Sequence, residues 1–170
     1  MTASREEYLR FGGSERRDVD KTVVLRGYQK ELTSLGVKQN IIVCLPTGSG
    51  KTMIAVSVMN SPEFQHEVRS EGKKIVFIVT TVQLAVQQAA YIEKFTSYKV
   101  LLCTSDSTKS KSWTLLKWKQ EIESHQVLVM IAQLCFDKIL QDVLNFHQMA
   151  MLILDECHHA ANLHVMNEAG

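Results

Sequence analysis

Two short stretches of this sequence hold residues whose types and spacing could handle a nucleoside triphosphate. In the first, Leu45-Pro46-Thr47-Gly48-Ser49-Gly50-Lys51-Thr52 lies between the apolar run Ile41 to Leu45 and the helix-like Met53-Ile54-Ala55-Val56. A glycine loop between a strand and a helix start turns successive backbone N–H groups toward an anion at the positive end of the helix. Side chains at Gly48 and Gly50 would block that approach. Lys51 would reach the β and γ phosphates, and Thr52 would ligate Mg²⁺ through its hydroxyl. The strict motif has a further glycine where Leu45 stands, so a Gly/Ser-rich turn with an exposed lysine is the plainer alternative.

The second stretch is Met151-Leu152-Ile153-Leu154-Asp155-Glu156. Phosphoryl transfer needs a carboxylate that holds Mg²⁺ and a group that orients the attacking water. Asp155 at a strand end would serve the metal and Glu156 the water. By itself the pair could equally be a helix cap facing solvent. Cys157-His158-His159 and His164 invite a zinc reading. Adjacent side chains diverge too much to chelate one ion, however, and no second Cys/His pair lies at finger spacing, so zinc is not expected.

Residues so far apart in sequence need a scaffold that brings them together. Short apolar runs recur at Ile41 to Leu45, Ile75 to Val79, Val100 to Cys103, Val127 to Ile131 and Met151 to Leu154. They are nearly continuous rather than alternating, as in strands buried on both faces. Between them Thr52 to Met59, Gln83 to Phe95, Trp113 to Ser124 and Phe136 to Phe146 carry apolar residues at helical spacing. This β-α-β-α order predicts an α/β fold, a doubly wound parallel sheet with helices on both faces. Such sheets bind ligands beyond the carboxyl ends of their strands.

The chain has 170 residues, 45% hydrophobic, with a formal net charge of +1. One core is expected, and nothing global marks a polyanion binder, so any nucleic-acid contact must be local. The apolar runs fall far short of the roughly 20 residues of a membrane span. The four cysteines sit apart, mostly within apolar runs, which predicts buried reduced thiols. Residues 1–23 mix acidic and basic groups without an apolar block, reading as a loosely held lead-in and no targeting signal. A partial ATP-binding domain over 24–170 and an intracellular location, cytoplasmic or nuclear, are the expectations.

Pro46 to Thr52 together with Asp155-Glu156-Cys157-His158 resembles motifs I and II of the superfamily 2 helicases. The fuller Asp155-Glu156-Cys157-His158-His159-Ala160 is similar to Dicer-like proteins of RNA interference and to the RIG-I-like RNA sensors. Leu45 suits that branch, where the loop commonly follows a Val-Cys-Leu strand, as Val43-Cys44-Leu45 does here. The resemblance implies a P-loop, RecA-like fold and an ATP-dependent motor with ATP and Mg²⁺ as cofactors. Leu25 to Leu32 is similar to that branch's adenine-recognising segment, in which Arg26 would pack on the base and Gln29 would bond its edge. An amide can donate and accept at once, as the adenine edge requires; an ordinary amphipathic helix start is the alternative.

Val76 to Gln88 resembles motif Ia, with Thr80-Thr81 where relatives often have a proline, and Val127 to Leu134 resembles the motif Ib region. By that resemblance Thr80, Thr81, Gln87 and Gln133 would touch a sugar-phosphate backbone; plain strand ends followed by helices compete with it. Lys109, Lys111, Lys117 and Lys119 interleave with Trp113 and Trp118, but Leu115, Trp118 and Ile122 share one helix face, which favours core packing. In the family a Ser-Ala-Thr strand follows motif II, lying between the motif I and motif II strands, and a second RecA-like domain supplies an arginine finger. Neither falls within these residues, so the chain is expected to be the start of a first motor domain, truncated after the motif II strand. Double-stranded RNA is the implied partner. A DNA translocase and a non-catalytic ATP- or RNA-binding fragment remain the alternatives.

Overall fold

Four parallel strands form one sheet in the order β2-β3-β1-β4, comprising β1 (Lys74–Val79), β2 (Val100–Cys103), β3 (Val127–Ile131) and β4 (Met149–Leu154). The computed structural model describes residues 24–104 and 113–155. Ile75, Val76, Phe77 and Val79 are all buried, which is why β1 reads as an unbroken apolar run: it lies between two neighbours and under helices on both faces.

The helices are α1 (Gly27–Lys38), α2 (Lys51–Met59), α3 (Pro62–Ser70), α4 (Val82–Phe95), α5 (Leu115–Ser124) and α6 (Ala132–Leu140). Helices α2, α3 and α4 close one face in a core with Ile75, Phe77, Val79, Val127 and Val129; Ala85, Ala89 and Ile92 supply the α4 stripe. The opposite face packs Val76, Leu101, Leu128 and Met130 against Trp118 and Ile122 of α5 and Cys135 of α6. The chain moves one way across the sheet through α4 and back through α5 and α6. Crossovers of constant hand require such a reversal to change face.

Several boundaries differ from the sequence reading. Ile41 to Leu45 is not a strand: half-buried Ile41, Val43 and Leu45 alternate with exposed Ile42 and Cys44, and no ladder pairs the segment. A strand needs neighbours for its N–H and C=O groups. Both sides of β1 are taken by β3 and β4, and no strand among the described residues lies beyond β4. The expected helix Phe136 to Phe146 starts earlier and stops at Leu140. Asp142 is left-handed (φ 52°), and the amides of Val143 and Leu144 fold back onto Lys138 O at 3.0 and 3.2 Å, closing the helix. The next helix-like piece is a 3₁₀ turn, Phe146–Gln148. Helix α5 starts after Thr114, whose hydroxyl accepts from Lys117 N, and Leu115 is 53% exposed rather than core. Helix α3 is additional to the helices expected from apolar spacing; Ser61-Pro62 is its ordinary helix start.

Candidate nucleotide-binding site

The orientation of α2 decides where its loop opens. Tyr98, just before β2, donates its hydroxyl to Met59 O at 2.8 Å, and Asn60 Nδ2 donates to Phe95 O at 2.9 Å at the end of α4. These contacts hold the end of α2 at the amino edge of the sheet. The helix therefore runs against the strands, and its N-terminus with Pro46 to Gly50 points to the carboxyl edge. There β4 ends, and Asp155 N extends the ladder by donating to Ile78 O at 2.9 Å.

The loop is built from its glycines. Ser49 N closes a turn onto Pro46 O at 3.2 Å with Gly48 at φ +78°, and Gly50, at φ +87°, is the N-cap of α2. Both lie where a side chain is costly. At Gly50 a Cβ would also stand 2.6 Å from Gln29 Nε2. The amides of Met53 and Ile54 close onto Gly50 O at 3.0 and 3.3 Å, which leaves the start of α2 as the positive end of a helix, where anions bind. Lys51 Nζ donates to Leu45 O at 3.0 Å, so Leu45 contributes its carbonyl rather than its side chain. Thr52 follows in the first turn.

Helix α1 grips this loop from outside. Gln29 is buried; its Oε1 accepts from Arg26 N at 2.9 Å, and its Nε2 donates to Ser49 O at 3.4 Å and Gly50 O at 3.5 Å. Arg26 is exposed, caps α1 and donates through Nη1 to the Tyr28 hydroxyl at 3.2 Å, and that hydroxyl donates to Ser49 O at 2.6 Å. Tyr28 went unmarked in the sequence; its place between Arg26 and Gln29 was the only available signal. Ser49 Oγ is buried with no hydrogen-bond partner among the described residues. An orphaned hydroxyl within a donor-rich, left-handed turn fits a loop that receives phosphate oxygens. Thr52 and Asp155 are hard oxygen donors, suited to Mg²⁺.

The remaining expected residues are spread along the carboxyl edge. Thr80 and Gln87 are exposed. Thr81, also exposed, caps α4, its hydroxyl accepting from Leu84 N at 3.2 Å. Gln133 is exposed on α6, and its Nε2 donates to Asp137 Oδ1 at 2.9 Å. Gln88, the neighbour of Gln87, turns inward and donates through Nε2 to Asp155 Oδ2 at 3.2 Å. Glu156, Cys157, His158, His159, His164, Lys109 and Lys111 lie outside the described residues. Of the expected thiols, Cys103 and Cys135 are buried, while Cys44 is exposed. Burial pushes both buried thiols up, Cys103 most strongly. Among the described residues no three His, Cys, Asp or Glu cluster as metal ligands, and no helix is long and apolar enough to cross a membrane.

A parallel sheet wound on both faces, with a glycine loop opening a helix at its carboxyl edge, is the architecture of a RecA-like domain of the P-loop class. The chain belongs to the DEAD/DEAH box helicase family, whose profile matches residues 26–167. It is 35% identical over 153 residues to the endoribonuclease Dicer of Gallus gallus, covering 88% of this chain and 8% of that protein. It is 37% identical over 139 residues to endoribonuclease Dicer homolog 2 of Arabidopsis thaliana, covering 82% of this chain and 10% of that protein. The chain thus spans about a tenth or less of these relatives' length. In fold it is similar to a hypothetical ATP-dependent RNA helicase from Sulfolobus tokodaii (TM-score 0.61, 17% identity, 95% of this chain and 43% of that one). The UvsW helicase from bacteriophage T4 is a second structural neighbour (TM-score 0.57, 22% identity, 91% of this chain and 51% of that one).

Proposed function

We propose that this chain is the ATP-binding part of a Dicer-like motor that acts on double-stranded RNA. The observation that carries the proposal is the loop Pro46 to Gly50, left-handed at both glycines and opening α2 at the carboxyl edge. Its amides cradle the phosphates, and Lys51 exchanges the Leu45 carbonyl for the β and γ oxygens. Mg²⁺, when bound, neutralises charge on those oxygens; Thr52 and Asp155 would hold it, and Glu156 would polarise the attacking water. Arg26 packs on the adenine. Gln29 reads the adenine edge by giving up its two contacts to the loop, which at 3.4 and 3.5 Å are long enough to exchange readily. Thr80, Thr81, Gln87 and Gln133 face the nucleic acid.

RNA is favoured over DNA by the endoribonuclease relatives and by the resemblance of Asp155-Glu156-Cys157-His158 to motif II. An arginine finger from a second motor domain is worth about 10³ to 10⁵ in rate, so these residues by themselves should bind Mg-ATP and turn it over negligibly. Equilibrium titration with a fluorescent ATP analogue tests the site. Wild type should bind, Lys51→Ala should not, and Gln29→Ala should erode the preference for ATP over GTP. Equal binding by wild type and Lys51→Ala would overturn the phosphate-loop assignment, and tighter binding of duplex DNA than duplex RNA would overturn the choice of track.

A further inference from the structure

Adjacent glutamines on α4 meet different surroundings. Gln87 is exposed, whereas Gln88 lies on the inward stripe with Ala85, Ala89 and Ile92 and is 8% exposed. Its amide crosses from α4 to the carboxyl end of β4 and donates from Nε2 to Asp155 Oδ2 at 3.2 Å. A buried amide on this apolar helix face is costly unless it is bonded. The carboxylate it meets belongs to the residue just after β4, whose backbone is held by the Asp155 N to Ile78 O bond.

Resting on the ATP-binding proposal, we infer that Gln88 is a positioning residue for the divalent-cation site, holding the Asp155 carboxylate in the rotamer that the cation requires. Backbone pairing to β1 sets where Asp155 begins, and the Gln88 amide sets where its carboxylate points. Mg²⁺ accepts only near-octahedral geometry, so a carboxylate free to rotate binds it poorly. Groups that orient a metal ligand are typically worth 10- to 100-fold in metal affinity. A neutral amide suits the task because it orients the carboxylate by a hydrogen bond without neutralising it, as a lysine would.

The test compares ATP binding by the full chain in excess EDTA with binding across a Mg²⁺ titration, for wild type, Gln88→Met and Gln88→Asn. Methionine keeps the length and burial but cannot donate; asparagine keeps the amide and shortens its reach by one carbon. Both should raise the Mg²⁺ concentration for half-maximal enhancement about tenfold or more, with affinity in EDTA unchanged. A purely structural glutamine would instead lower the melting temperature and weaken binding equally with and without Mg²⁺. An unchanged Mg²⁺ midpoint in whichever variant folds overturns the role of Gln88 while leaving the nucleotide site intact. Wild type that binds no nucleotide in either condition overturns the ATP-binding proposal, and this one with it.

Discussion

The Tyr28 hydroxyl, accepting from Arg26 and donating to Ser49 O, joins the residue expected at the base to the crown of the phosphate loop. Ser49 thus has its carbonyl held and its own hydroxyl without a hydrogen-bond partner among the described residues, an arrangement that keeps the turn in shape while leaving Oγ for a ligand. Tyr28→Phe keeps the ring and removes the donor. A net hydrogen bond is worth about 0.5 to 1.5 kcal/mol, so ATP affinity should fall about twofold to about tenfold. Amide hydrogen exchange over residues 46–50 should accelerate in the unliganded protein. Titration and exchange that both match wild type would show the contact to be incidental.

Among the elements, α2 matters most, because its direction decides which edge the loop serves. The Tyr98 hydroxyl on Met59 O is one of its two anchors. Burial pushes the Tyr98 phenol up, and the nearby Arg69 only partly opposes this. The neutral phenol is thus favoured in the folded state, so its stabilising share is fully present below the ordinary tyrosine value of about 10 and is lost as pH rises through the higher folded value. Tyr91 is raised by burial as well. Urea midpoints measured at pH 8 and pH 11 should fall for wild type, and fall less for Tyr98→Phe, which has already given up the anchor. An equal drop in both proteins would place the alkaline sensitivity elsewhere.

For the whole molecule, the sheet's border at β4 is the exposed flank. Leu152 and Leu154 are paired in register with Val76 and Ile78, on the face that α5 and α6 cover over the other strands, yet they are 43% and 49% exposed. No described strand takes the outer edge of β4, and Ile41 to Leu45 runs without a ladder. Unpaired edge groups beside exposed leucines favour association. Light scattering at rising protein concentration should show oligomers for the wild-type chain, and Leu152→Lys should reduce them. A wild-type chain that stays monomeric at high concentration would contradict this.

Amino-acid order alone determined the glycine loop, the helix it opens, four of the five expected strands and the alternation that winds them into a parallel sheet. Those features depend on local chemistry and on apolar period, which a single chain displays. Only the tertiary structure decided that Ile41 to Leu45 would not be a strand, because a strand exists by virtue of neighbours that sequence does not name. Tertiary structure likewise placed Gln29 against the loop, gave Tyr28 its tether and separated Gln87 from Gln88. Adjacent residues on a helix differ by about 100° in direction. Which of two glutamines meets Asp155 is therefore settled by how α4 lies on β1, β2 and β3, a matter of packing rather than of residue type.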